Sequence, residues 1–276
     1  MNEKFFEKTN LPYVKSFSKP CFACGAEMEI SDKTDIKRRQ KGILDVHGKC
    51  IVCAKQLQVS AIGDSGAAVS QFNLMYDKHR RKAMLKKGTY KIVRDNLWNF
   101  IGKASALCIT TNGFTKRSGH AVMGRGCAAQ ALKRYPSIDK KLGDLIQDHG
   151  NRPMRVTKER NTSIVSFPVK PIYRTARSEE ELENKCVKHM VSQLSPDLGT
   201  KDKVFIPGWA TKAEVAIIRD SAQKLVAMAD KFDWKLVALP LPGCGAGELQ
   251  FEKDVKPILD KILDQRFILV TYPERR

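Results

Sequence analysis

The sequence predicts an α/β fold: a mostly parallel sheet covered by helices on both faces, preceded by a small cysteine-rich module. Three observations predict it. From residue 89 onward, short apolar runs rich in β-branched residues alternate with amphipathic segments, the pattern of a sheet buried on both sides. Two of those runs end in glycine-rich loops that lead into helices. Two Cys-x-x-Cys pairs stand within the first 53 residues, a spacing that suits metal ligation.

The length of 276 residues allows one sizeable domain and one small one. No run of eighteen apolar residues occurs, so no transmembrane helix and no membrane partner is expected. The opening MNEKFFEKTN lacks the apolar stretch of a signal peptide. A cytoplasmic location, with reduced cysteines, is the expectation. The net charge is +19, from 49 basic and 30 acidic residues. Residues 1–87 carry 17 basic and 9 acidic side chains, a net +8, and the remainder carries +11. An excess spread over both parts favours a polyanionic partner such as nucleic acid; a passive basic surface is the alternative.

The module spans residues 1–63 and reads as a small zinc ribbon. Cys21-Phe-Ala-Cys24 and Cys50-Ile-Val-Cys53 are separated by 25 residues. Four thiolates on two tight knuckles can enclose Zn²⁺ tetrahedrally and leave no open position, which makes the metal structural. A redox pair is the alternative, but no thioredoxin-like pattern surrounds either motif. His47, beside Gly48, reads as a turn residue, with a substitute metal ligand as the alternative. The run Lys33 to Lys41 is basic and fits either phosphate contact or a solvated hairpin tip. Leu57, Val59 and Ala61 alternate with polar residues and predict the module's last strand. Residues 64–88 read as a basic linker with a helical stretch from Asp77. The α/β domain then occupies 89–276. Cys108, Cys127, Cys186 and Cys244 are dispersed and read as core residues.

Within that domain Tyr90–Val93 is the first strand and Ala104–Thr111 the second, delivering Asn112. Asn112-Gly113 also reads simply as a turn. Val122, Met123, Gly124, Arg125, Gly126 and Cys127 then open a helix running to Tyr135. Backbone N–H groups at a helix N-terminus favour an anion, and glycines let the chain approach it closely. Helix Lys140–Asp148 and strand Ser163–Lys170 follow, the strand broken by Pro168. Ser178–Leu194 reads as one helix, with His189 on its apolar face, and Asp202–Trp209 as a loop. Helix Ala213–Phe232 feeds strand Lys235–Leu241. The second glycine loop is Pro242, Gly243, Cys244, Gly245, Ala246, Gly247 and Glu248. Helix Glu252–Leu263 and strand Phe267–Thr271 close the domain. Two cradles at the carboxyl ends of one sheet suit a diphosphate. Neither matches a dinucleotide or Gly-Lys-Ser/Thr loop, which disfavours an NAD oxidoreductase and a nucleotide triphosphatase.

Asn96-Leu97-Trp98, ITTNG, GHAVMGRGCAAQALKRYP, SIVSFPVK, LPLPGCGAGELQF and DQRFILV together resemble a macro domain, in order and spacing, from about Thr89 to Tyr272. The resemblance implies a three-layer α/β/α domain that binds ADP-ribose. It places Asn96 at the family's adenine-binding aspartate, where its side-chain carbonyl can accept the same bond without charge. It puts Asn112 near the distal ribose, Val122–Cys127 around the diphosphate and ribose, and Gly243–Gly247 at the diphosphate. It puts Lys170 where relatives of the terminal ADP-ribose glycohydrolase, and of the antitoxin that removes ADP-ribose from DNA, carry a catalytic lysine. An amine there can attack the anomeric carbon or assist departure of the acceptor if burial or nearby cations lower its pKa. The glycohydrolases' loop acid is replaced by Gly247, with Glu248 adjacent. The implied function is an ADP-ribosyl hydrolase acting on an ADP-ribosylated macromolecule, nucleic acid included, with no catalytic cofactor. A non-catalytic ADP-ribose reader and a phosphatase of ADP-ribose 1″-phosphate are the alternatives.

Overall fold

A computed structural model describes residues 14–22, 26–35, 37–38, 41, 43–50, 53–83, 85–199 and 202–272. The chain divides into two compact units, Met1–Leu85 and Lys86–Arg276. Among the described residues, no helix is long and apolar enough to cross a membrane.

In the small unit β1 (Phe17–Pro20), β2 (Glu27–Asp32), β3 (Ile43–Cys50) and β4 (Gln56–Ile62) form an antiparallel meander in chain order. On β4, Leu57, Val59 and Ala61 are buried and their neighbours exposed, the two-residue period of a half-buried strand. Helix α1 (Ser65–Ala83) supplies Ala68, Phe72 and Tyr76 to the same core as Met28, Ile30, Leu44 and Val46. The stretch expected as a linker over 64–88 therefore holds a helix of the small unit. Its apolar residues at positions 68, 72 and 76 are one helical face, which its many charges hide in a reading by composition. Gly48 lies within β3 rather than in a turn. A Cβ there would come within 2.8 Å of the Phe72 ring, so the close helix–sheet approach requires glycine. In the basic run Arg38 pairs with Asp45 at 2.5 Å.

In the large unit β5 (Lys91–Arg94), β6 (Ala106–Asn112), β7 (Met154–Glu159), β8 (Thr162–Lys170), β11 (Val237–Pro240) and β12 (Phe267–Thr271) form one sheet in the order β5-β12-β11-β6-β8-β7. All neighbours are parallel except β7, which pairs antiparallel with β8. Alternate residues of each central strand enter opposite cores. Leu107, Ile109, Ile164, Ala238 and Val270 face α2 (Gly126–Arg134) and α3 (Ile138–His149). Cys108, Val165, Phe167, Leu239 and Leu269 face α6 (Val215–Lys231) and α7 (Lys256–Leu259). The architecture is thus the three-layer α/β/α sandwich with a mixed, mostly parallel sheet.

Two local features depart from the sequence expectation. Between Lys170 and α6 the chain forms an antiparallel ribbon, β9 (Tyr173–Ala176) with β10 (Val204–Pro207), the second strand falling where the loop Asp202–Trp209 was expected. The expected helix Ser178–Leu194 is two helices, α4 (Glu179–Lys185) and α5 (Lys188–Leu194). Buried Cys186 and Val187 separate them, and Cys186 bridges to Thr211.

Candidate functional site

The carboxyl ends of four parallel strands meet at one cavity of about 460 Å³. Thr110, Thr111 and Asn112 come from β6, Val169 and Lys170 from β8, Pro240 from β11 with Leu241 just after it, and Val270 and Thr271 from β12 with Tyr272 just after it. This is where an open α/β sheet binds ligands, since its loops part there. A register shift between Thr111 and Asn112 sets Asn112 beside Lys170. It falls at Pro168, which lacks the N–H a regular ladder needs. The Pro168 carbonyl accepts a bond from the Ser221 hydroxyl at 2.8 Å instead.

Both glycine loops line the cavity. From the first, Val122, Gly124, Arg125, Gly126 and Cys127 do so; Met123 is buried in the core behind them. Gly126 has φ +57° and begins α2. A Cβ on Gly124 or Gly126 would meet nothing within 4 Å, so the space in front of this helix N-terminus is open to a ligand. From the second loop, Gly243, Cys244, Gly245, Ala246 and Gly247 line the cavity; Pro242 and Glu248 do not. Its glycines serve different ends. A Cβ on Gly245 meets nothing, whereas one on Gly247 would lie 2.5 Å from the Gly243 carbonyl oxygen and 2.6 Å from Ala213. The backbone therefore leaves no room for an acid at 247. Glu248 adopts φ +61°, and its carboxylate accepts the Lys188 backbone N–H at 2.9 Å.

Lys170 is 7% exposed. Its Nζ donates to the carbonyls of Ala246 at 2.8 Å and Trp209 at 3.3 Å. Burial pushes its pKa down to about 8; Glu248 opposes that shift and Arg125 adds to it. An unperturbed lysine is neutral in about one molecule in three thousand at pH 7, whereas one of pKa about 8 is neutral in about one in ten. The thiols of the cavity behave oppositely. Burial raises the pKa of Cys127, and that of Cys244 to about 11, so both stay protonated and poorly nucleophilic at neutral pH.

Asn112 lines the cavity, but its amide is engaged in holding the loop. Its Nδ2 donates to the Val122 carbonyl at 2.9 Å and its Oδ1 accepts the Phe114 N–H at 2.9 Å. One donor and one acceptor of its amide therefore hold the first glycine loop. Asn96 is outside the cavity lining. Its Oδ1 accepts the Trp98 N–H at 3.0 Å, capping the short 3₁₀ turn Leu97–Phe100, which uses one of the two lone pairs of the acceptor expected for adenine. His189 departs the other way: it is exposed and lines the cavity, because the break at Cys186 reorients α5. Trp209 also lines it. Neither carries a sequence signal short of the fold. Tyr272 and the other strand ends were within reach, by extending each strand to its carboxyl end. The Tyr272 hydroxyl and the Trp98 ring N–H both donate to Gln130 Oε1, at 2.6 and 2.7 Å.

No family model and no curated protein matches the chain. Solved structures do. The macrodomain of Mycobacterium tuberculosis DarG is 17% identical with a TM-score of 0.44, covering 67% of this chain and 99% of that one. The macrodomain of Thermus aquaticus DarG is 18% identical with a TM-score of 0.42, covering 67% and 98%. The chain is similar to macrodomains. Thermosipho africanus DarTG in complex with ADP-ribose is 16% identical with a TM-score of 0.45, covering 79% of this chain and 57% of that one.

A second cluster lies in the small unit. The sulfurs of Cys21, Cys50 and Cys53 all lie within 4.8 Å of one another, and Cys21 and Cys53 are 3.6 Å apart. A disulfide needs about 2.05 Å, whereas ligands of one tetrahedral zinc with Zn–S of about 2.3 Å stand about 3.8 Å apart. The donor set fits a metal. Cys24, the fourth thiol of the expected set, lies outside the described residues.

Proposed function

We propose that the large unit binds ADP-ribose, with its diphosphate between the two glycine loops, and removes the ADP-ribosyl group from a macromolecule. Nucleic acid is the acceptor class that the +19 charge favours. The observation that carries this reading is Lys170, a buried amine of lowered pKa on the wall of a cavity bounded by two open glycine cradles. In this reading the loop N–H groups hold the diphosphate, and Arg125 adds a cation beside it. The neutral amine of Lys170 attacks C1″ of the distal ribose and forms a C–N bond as the bond to the acceptor breaks. The acceptor leaves with the amine's proton, and water then releases ADP-ribose and restores the amine. Asn112 keeps the first loop in place. Incubation with ADP-ribosylated DNA and with ADP-ribosylated protein tests the proposal. Loss of the DNA modification is expected, with a Lys170→Ala rate about 100- to 10,000-fold lower. Full activity of that variant would remove Lys170 from the mechanism.

One observation favours a second reading, a non-catalytic reader. Among the described residues, no carboxylate lines the cavity, so the acid of a lysine–carboxylate pair is missing. Retention of both modifications by a protein that binds free ADP-ribose would select it.

We also propose that the module at residues 1–63 holds one structural zinc through Cys21, Cys50 and Cys53, with Cys24 completing the set. The spacing of the three described sulfurs supports this. Bound there, zinc supplies a cross-link and no chemistry.

A further inference from the structure

Departure of the acceptor calls for a proton carrier beside C1″. Among the described residues no carboxylate lines the cavity to act as one. Of the lining groups that hold exchangeable protons, most are unsuited. Arg125 keeps its proton throughout the working pH range. Burial raises the pKa of Cys127, Cys244 and Tyr272, so each is a poor acid near neutrality. The Tyr272 hydroxyl is also already donated to Gln130. Threonine hydroxyls and the Trp209 indole do not ionise near neutral pH. Lys170 is the attacking amine. His189 is left, and imidazole is the side chain that both gives and takes a proton readily near neutral pH.

His189 lies in the first turn of α5, exposed on the cavity wall. Among the described residues its ring nitrogens have no hydrogen-bond partner. By contrast, Asp139 holds the His120 ring at 3.0 Å and the Met75 carbonyl holds the His79 ring at 2.9 Å. The backbone leading into His189 is fixed by the same two segments that hold the amine. Lys170 Nζ donates to the carbonyls of Trp209 and Ala246. Next to Trp209, the Ala210 carbonyl accepts the Val187 N–H at 2.9 Å and the Cys186 thiol at 3.4 Å. Two residues beyond Ala246, the Glu248 carboxylate accepts the Lys188 N–H at 2.9 Å. Glu248 does so from φ +61°, a conformation that residues with a Cβ rarely adopt.

The break between α4 and α5 makes these anchors possible. In one continuous helix the N–H groups of Val187 and Lys188 would be tied to the carbonyls of Glu183 and Asn184. The break frees both for Ala210 and Glu248. Amine and imidazole are thus mounted on one frame, the Trp209–Ala210 segment on one side and the second glycine loop on the other.

We propose that His189 is a second catalytic residue, the acid that protonates the departing acceptor and then takes up the proton of the Lys170 nitrogen. This rests on the cavity being the ADP-ribosyl site with Lys170 as its nucleophile. The imidazolium N–H donates to the acceptor atom bonded to C1″. As the amine forms its C–N bond, the bond from C1″ to the acceptor breaks. Its electron pair leaves with the acceptor and captures the imidazolium proton. The Lys170 nitrogen is then a secondary ammonium. The neutral imidazole removes one of its protons and becomes imidazolium again. In net, the acceptor has left with the amine's proton and the ring is unchanged.

The test gives the full chain two substrates: ADP-ribosylated DNA, and ADP-ribose bearing 4-nitrophenol at C1″, whose phenolate departs without a proton. His189→Ala and His189→Gln should each lower release from DNA about 100- to 10,000-fold and release of 4-nitrophenol by less than about tenfold. Free imidazole should restore part of the DNA activity of His189→Ala. ADP-ribose binding and unfolding temperature should match wild type in both variants. Equal losses on the two substrates would make His189 a structural or binding residue and overturn the proposal, as would wild-type rates on DNA. A wild type that binds ADP-ribose yet releases nothing from either substrate sinks the hydrolase reading itself. A wild type that fails to bind ADP-ribose sinks the cavity reading first.

Discussion

Lys170 couples chemistry to stability. Its folded pKa lies near 8 against an ordinary 10.5. Below pH 8 both folded and unfolded chains carry the proton, and the folded chain bears the full cost of a buried ammonium. Between about pH 8 and 10.5 the folded chain has released the proton and the unfolded chain has not, so stability rises with pH. The rise amounts to about 3 kcal/mol if the whole shift is realised. Urea unfolding of wild type and Lys170→Met across pH 7–11 checks this. The wild type should gain on the variant as pH rises through that window, and parallel curves would remove the buried-amine account. The lysine's place at a strand end was legible in the sequence, because Ser163–Lys170 is an apolar run with a clear end. The state of Asn96 and Asn112 was not. An asparagine amide serves a ligand or a backbone N–H equally well, and only the fold shows that both amides are engaged by their own loops.

Elements were legible where periodicity was strong and hidden where packing overrode it. The central strands feed two cores from alternate residues, and their β-branched runs announced them. The ribbon β9–β10 was missed because its two short strands pair only with each other, outside the strand, glycine loop, helix order that marks the main sheet. The break between α4 and α5 was missed for a different reason: Leu182, Cys186 and Met190 keep helical spacing, yet Cys186 is drawn into a bridge with Thr211. Helix α1 carries the plainest consequence at this scale. If it belongs to the small unit's core, Phe72→Ala should cost about 3–5 kcal/mol of that unit's stability. Denaturant unfolding followed by circular dichroism measures it. A loss below about 0.5 kcal/mol, the usual effect of a surface change, would return the segment to the role of a linker.

The molecule pairs a small four-stranded unit, whose three described thiols converge, with an α/β unit whose cavity gathers four strand ends and two glycine loops. Chelation should separate their roles. A strong zinc chelator should lower the unfolding temperature of the small unit and release about one zinc per chain, while ADP-ribose binding persists. Absence of metal in protein purified under reducing conditions would contradict the zinc assignment and leave the cavity untouched. The α/β class and the two loops were legible because strand, glycine turn and helix follow one another in sequence; their convergence, and the walls supplied by His189 and Trp209, come from segments far apart in the chain. The most direct measurement is a calorimetric titration of the full chain with ADP-ribose, beside Gly124→Val, whose Cβ would enter open cavity space with no protein atom within 4 Å. The account predicts saturable binding at micromolar ligand that the variant weakens at least tenfold with no change in unfolding temperature. No heat up to millimolar ADP-ribose, or identical isotherms for the two proteins, would contradict it.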